Sequence, residues 1–102
     1  NKNVLLESSW EENIAIWLDA NNIEWIRPHY IKWFDTLTNT DRLYYPDFYL
    51  PSINLYLDPK NQNGMITGKH KMIIVEKLIP IVYGEIQMIK DVVTKQLLTN
   101  NI

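Results

Sequence analysis

The chain has 102 residues, 46% of them apolar and 22% charged, with 10 lysines and arginines against 12 aspartates and glutamates and no cysteine. That length suits one domain spanning residues 1–102 around a single core; the apolar content excludes disorder, and the missing cysteines exclude disulfides, zinc–thiolate sites and thiol nucleophiles. No apolar run reaches the length of a membrane span and no signal peptide is visible, so a cytoplasmic protein is expected, while the net charge of −2 argues against a simple nucleic-acid binder held by bulk positive charge.

The first residue is Asn1 rather than methionine, which reads as a piece of a longer chain. Ser9-Trp10-Glu11-Glu12 has the form of a capping box, in which a serine hydroxyl and a glutamate carboxylate each satisfy a free backbone donor at a helix start. The helix should run to about Ala20 and end at Asn21-Asn22. Ile14, Ala15 and Leu18 follow Glu11 at helical spacing, so Glu11 belongs to the apolar stripe and Glu12 lies beside it. A carboxylate facing a core is costly unless a cation meets it; the plainer reading is a first-turn acid favoured by the helix dipole. Glu7 takes the same role if the helix starts a turn earlier.

Ile23 to Arg27 and Tyr30 to Phe34 are strand-like runs around Pro28-His29, with His29 read as a turn residue before it is read as a base. Asp35 to Asp41 is a polar loop joining two antiparallel strands, the second running from Arg42 to Leu50. Pro46 within it removes a ladder donor just before Asp47. At Pro51-Ser52 the chain can fold back and carry Asp47 beside Asp58. In the strand that follows, Asn54, Tyr56, Asp58 and Lys60 share one face, and Ile53, Leu55 and Leu57 the other. Two carboxylates beside an ammonium form a hard-cation site next to a fixed positive charge, and so few oxygen ligands suit Mg²⁺. Pro59 interrupts the ladder, but its φ is compatible with a strand, so Asp58 and Lys60 should keep their common face.

Asn61 to Gly64 reads as a break before a helix that starts near Thr67 or Lys69 and reaches about Lys77. That helix carries the densest basic cluster, Lys69, His70, Lys71 and Lys77, and offers Ile73, Ile74 and Val75 to a sheet. Ile79 to Tyr83 is a short β-branched strand with Pro80 at its start or at an edge. After Gly84, Ile86, Ile89, Val93 and Leu97 form one stripe of a last helix whose final TNNI should fray. The order α-β-β-β-β-α-β-α predicts an α/β domain, one mixed sheet flanked by helices.

Pro46-Asp47, a hairpin-length gap and Asp58-Pro59-Lys60 follow the pattern PD, gap, (D/E)XK. Together with Ser9-Trp10-Glu11 opening a helix upstream, and PDFYLP running directly into YLDPKN, they make the region from Ser8 to Tyr83 resemble the PD-(D/E)XK nuclease superfamily. Within it the layout looks like phage-encoded homing endonuclease domains related to the very-short-patch repair nuclease. The X position here is proline, where a hydrophobic strand residue is more usual. The resemblance implies a restriction-endonuclease-like fold and a metal-dependent DNA endonuclease. Asp47, Asp58 and Glu11 would hold Mg²⁺, with Mn²⁺ able to substitute, and Lys60 would orient the attacking water or offset charge on the phosphate. Double-stranded DNA would be the partner, in the host cell cytoplasm, with Arg27, Lys32, Arg42, Asn61, Lys69 and Lys71 as candidate contacts. One such centre cuts one strand, so a double-strand break calls for a homodimer or higher homo-oligomer, or for two sequential nicks. The same residues also suit a junction- or mismatch-directed nuclease, a non-catalytic DNA-binding or assembly domain, or an α/β domain in which the motif is coincidental.

Overall fold

Two asparagines close the first helix by a local mechanism. In the computed structural model, which describes residues 9–100, α1 spans Ser9–Ala20 and buries Glu11, Ile14, Ala15 and Leu18. The buried face is the stripe that the spacing predicts. Asn22 takes φ 56°, the left-handed conformation asparagine tolerates better than most residues. Its amide donates to Asp19 O and the Ile23 amide to Leu18 O, a Schellman closure that brings Ile23 into the same core as Leu18. Ser9 is itself helical, so it is not the cap that a box starting at Ser9 requires. Glu7 lies outside the described residues, as does the end of the terminal TNNI.

The chain then runs through β1 (Ile31–Asp35), β2 (Thr40–Tyr44), β3 (Phe48–Leu50), β4 (Leu55–Pro59), α2 (Gln62–Thr67), α3 (Lys69–Val75), β5 (Ile81–Gly84) and α4 (Ile86–Asn100). The result is a compact α/β domain with helices on both sides of its strands, but the strands form two small sheets rather than the single mixed sheet expected. One is the antiparallel ribbon β1-β2; the other has the order β3-β4-β5, with β4 antiparallel to β3 and parallel to β5. Proline supplies the reason. The expected strand from Arg42 to Leu50 is cut at Tyr45-Pro46-Asp47, where a residue without an amide hydrogen cannot continue the ladder, and its two halves join different sheets. Upstream, Ile23 to Arg27 contributes only an isolated bridge, Ile26 with Tyr49.

The expected break at Asn61 to Gly64 is instead a helix start. The Asn61 side chain accepts from the Gly64 amide at 2.8 Å and caps α2, a role asparagine fills well. Where one helix was expected there are therefore two, meeting at Gly68. A Cβ there would collide with the Tyr83 hydroxyl, which donates to Gly64 O at 2.8 Å.

Two apolar clusters lie on the two faces of β3-β4-β5. Phe48, Leu50, Leu55, Leu57 and Val82 pack with Ile14 and Leu18 of α1 and Ile89 and Val93 of α4. Opposite, Ile81 and Tyr83 meet Trp33 and Tyr44 of the ribbon and Met72 and Val75 of α3. Each fully buried aliphatic side chain contributes about 1.5–3 kcal/mol. Alternation along β5 therefore feeds both clusters, and on β4 Asp58, on the opposite parity from Leu57, meets Tyr44 of the second. Val75 is buried as expected, whereas Ile73 is exposed and Met72 takes the inward position. No helix among the described residues is long and apolar enough to cross a membrane.

Candidate active site

The β3-β4 hairpin pairs Phe48 with Leu57, Tyr49 with Tyr56 and Leu50 with Leu55. Continuing that register by one step sets Asp47 opposite Asp58, and residues directly opposite in an antiparallel pair project from the same face. Tyr49 and Tyr56, two residues further along, confirm the face by packing ring against ring at 4.6 Å. Asn54 makes this tight hairpin possible by taking φ 49° at the turn.

Asp58 is 1% exposed. Its Oδ2 accepts a hydrogen bond from Tyr44 Oη, delivered by the ribbon, and its Oδ1 lies 3.5 Å from Lys60 Nζ without a hydrogen bond of normal geometry. β4 runs unbroken through Pro59, and the Lys60 amide donates to Gly84 O at 2.7 Å, so the proline leaves Lys60 on the Asp58 side. Burial opposes the charge on Lys60, but Asp58 and Asp47 outweigh it and raise the pKa, keeping an ammonium here. Burial first, then the charges of Asp58 and Glu11, push Asp47 up to about 8, while Lys60 pulls the other way. Two carboxyls crowded together cannot both ionise freely without a further cation. Burial and the Asp58 charge lift Tyr44 far above the usual phenol range, so it remains a hydroxyl donor. Tyr83, opposite Asp58 on β5, is raised for the same two reasons.

Glu11 reaches this region from α1 but is met by an arginine. Arg27 lies 3.2 Å from Glu11 Oε2, donates to Asp47 O at 3.1 Å and stands 3.7 Å from Asp47 Oδ1. The cation that a carboxylate on the buried stripe demands is therefore supplied by Arg27. Among the described residues no group of three or more His, Cys, Asp or Glu side chains is arranged to hold a metal ion. The three acids expected to share an ion resolve into an Asp47–Asp58 pair and a Glu11–Arg27 pair beside it.

The other candidate contacts divide. Arg27 is turned to the acids; Arg42 donates to Asp35 Oδ2 at 2.7 Å; Lys32 lies 3.6 Å from Asp41; and Asn61 caps α2. Lys69 is exposed on α3. Lys71 rests its ammonium 4.6 Å from the Tyr44 ring centre, half-buried; burial lowers its pKa, Asp58 works to raise it, and Lys60 adds to the lowering. His29 is exposed, in a stretch without regular structure rather than an assigned turn.

Two residues escaped the sequence reading. Tyr44 carries no local sign of its role, because its hydroxyl reaches Asp58 only through the packing of one sheet on another. Asp35 was read as loop, yet it is buried, with Arg42, the Leu37 amide at 2.9 Å and His70 Nε2 at 3.1 Å around it. Burial works to raise its pKa, but Arg42 and these other donors hold it well below the usual carboxylate range.

The strands thus bring together an orphaned buried carboxylate oxygen, a second acid denied its charge and an ammonium; a hard divalent cation held here would have two carboxylates and would need further oxygens from a phosphate. Comparison with protein-family models, with curated proteins and with solved structures returned no match for the chain.

Proposed function

We propose that the chain is a metal-dependent endonuclease hydrolysing DNA phosphodiester bonds, the activity its resemblance to PD-(D/E)XK nucleases implies. One observation carries the reading: Asp47 and Asp58 face each other across a hairpin with Lys60 Nζ 3.5 Å from Asp58, and an Asp58 oxygen is buried without a hydrogen bond. Asp47 and Asp58 would hold Mg²⁺ or Mn²⁺, which supplies Lewis-acid activation of water and a counter-charge for the phosphate. Lys60, kept charged by the two acids, donates to the attacking water or to a non-bridging phosphate oxygen. The water oxygen replaces one ester oxygen at phosphorus and gives up a proton to solvent, while the departing oxygen takes one from solvent. Glu11 acts through Arg27, holding the guanidinium against Asp47.

In this reading α1, the β3-β4 hairpin, β5 and α4 form a restriction-endonuclease-like core, with β1-β2 as an added ribbon. Lys69, exposed on α3, is the basic side chain best left for double-stranded DNA, since Arg27, Arg42 and Lys32 have acidic neighbours and Lys71 is half-buried over the Tyr44 ring. The homing role, a homodimeric double-strand cut and host-cell location follow from the same resemblance.

The test is plasmid nicking with Mg²⁺ or Mn²⁺ by wild type, Asp58→Asn and Lys60→Met, with circular dichroism to establish that each is folded. Nicking reduced about 10²–10³-fold in both variants is expected. Variants that nick like wild type would remove the assigned site; a folded wild type that binds DNA and never nicks would favour a non-catalytic DNA-binding domain.

A further inference from the structure

Tyr44 belongs to the ribbon, yet its hydroxyl ends on the acid at the centre of the other sheet. It is 4% exposed, packed in the cluster of Trp33, Met72 and Val75, and donates to Asp58 Oδ2. Lys71 sits over its ring. A buried carboxylate has two oxygens and free rotation about the bond that carries them. With Oδ2 tied to Tyr44, that rotation stops, and Oδ1 is left on the side of Lys60 as the one oxygen without a hydrogen bond.

We propose that Tyr44 is a positioning residue that orients the Asp58 carboxylate, so that Oδ1 is presented to a divalent cation shared with Asp47. This rests on the metal-dependent reading above. A ligand oxygen is worth most when its carboxylate is already held in the ligating orientation, and groups that hydrogen-bond to ligands in this way typically change metal affinity 10–100-fold when removed. The ribbon, which contributes no carboxylate to the pair, thereby acquires a function in the site through the Tyr44 hydroxyl.

The experiment measures Mn²⁺ affinity of the free protein by titration calorimetry, alongside the Mn²⁺ concentration for half-maximal plasmid nicking. Wild type, Tyr44→Phe, Asp58→Asn and Val75→Ala are compared, with melting temperatures for all four. Val75 lies in the same cluster, is fully buried and carries no polar group, so its alanine variant reports loss of packing without loss of a hydrogen bond. Tyr44→Phe should weaken Mn²⁺ about 10–100-fold in both measurements with KM for DNA unchanged, whereas Val75→Ala should lower the melting temperature and leave the Mn²⁺ constant within twofold. Tyr44→Phe binding Mn²⁺ like wild type, or Val75→Ala weakening it as much, would overturn the assignment. A wild type that binds Mn²⁺ through Asp58 and Tyr44 but never nicks DNA would uphold the positioning role and overturn the nuclease reading. A wild type that binds no Mn²⁺ would overturn both.

Discussion

Replacing Asp47 by asparagine should make the metal-free protein more stable, although it deletes a residue of the proposed site. The folded Asp47 carboxyl is pushed up to about 8 from an ordinary 3.8, first by burial and then by Asp58 and Glu11. A carboxyl whose folded pKa exceeds its unfolded one holds its proton more tightly when folded. The associated stability is therefore complete below about pH 4 and is lost as pH rises through about 8. At ~1.4 kcal/mol per unit, the span from 3.8 to pH 7 is an upper bound of about 4 kcal/mol. The side chain retains 17% exposure and can turn outward, so about 2–4 kcal/mol is expected. Asparagine imitates the protonated acid at every pH. Urea unfolding in EDTA from pH 5 to 9 should therefore show wild type losing stability and Asp47→Asn holding level, with a melting temperature about 10 °C or more above wild type at pH 8. Millimolar Mg²⁺ should then stabilise wild type, by about 1.4 kcal/mol at ten times its dissociation constant, and leave the variant unmoved. An asparagine variant no more stable than wild type at pH 8, or one with the same pH slope, would refute the claim that like charges are confined here.

Arg27→Met leaves Glu11 on the buried stripe without the Arg27 partner, and should lower stability by about 1–3 kcal/mol in chemical denaturation, discounted because Arg27 is 31% exposed. Gly68→Ala should cost about 1–3 kcal/mol by overpacking the Tyr83 hydroxyl, and Tyr83→Phe in the same chain should recover part of that; additive losses would mean the collision is not the cause. Asp35→Asn should lower the melting temperature at pH 7, because the ionised form is the one held by Arg42. Since the folded pKa of Asp35 is depressed, the gap from wild type should narrow as pH falls below about 4, and a gap independent of pH would refute the role of the charge.

Much of this architecture is written in local patterns. The stripe of α1, the Asn21-Asn22 stop, the turn after Leu50, the common face of Asp58 and Lys60, and the stripe of α4 each depend on periodicities of a few residues, and each is present in the structure. The face-to-face placement of Asp47 and Asp58 was legible for the same reason, since hairpin register propagates from a short turn. The division into two sheets was only half legible: Pro46 announces a broken ladder, but whether the chain resumes in the same sheet or another depends on what packs on what. The Asn61 cap was missed because an asparagine with a glycine three residues on serves turns and helix starts alike, and the Tyr83 hydroxyl that holds Gly64 O comes from a distant strand. Arg27 meeting Glu11, Tyr44 meeting Asp58 and His70 meeting Asp35 join residues 16, 14 and 35 positions apart. Partners at such separations are chosen by layer packing and by the cost of leaving a buried charge unpaired, neither of which any local stretch of sequence contains.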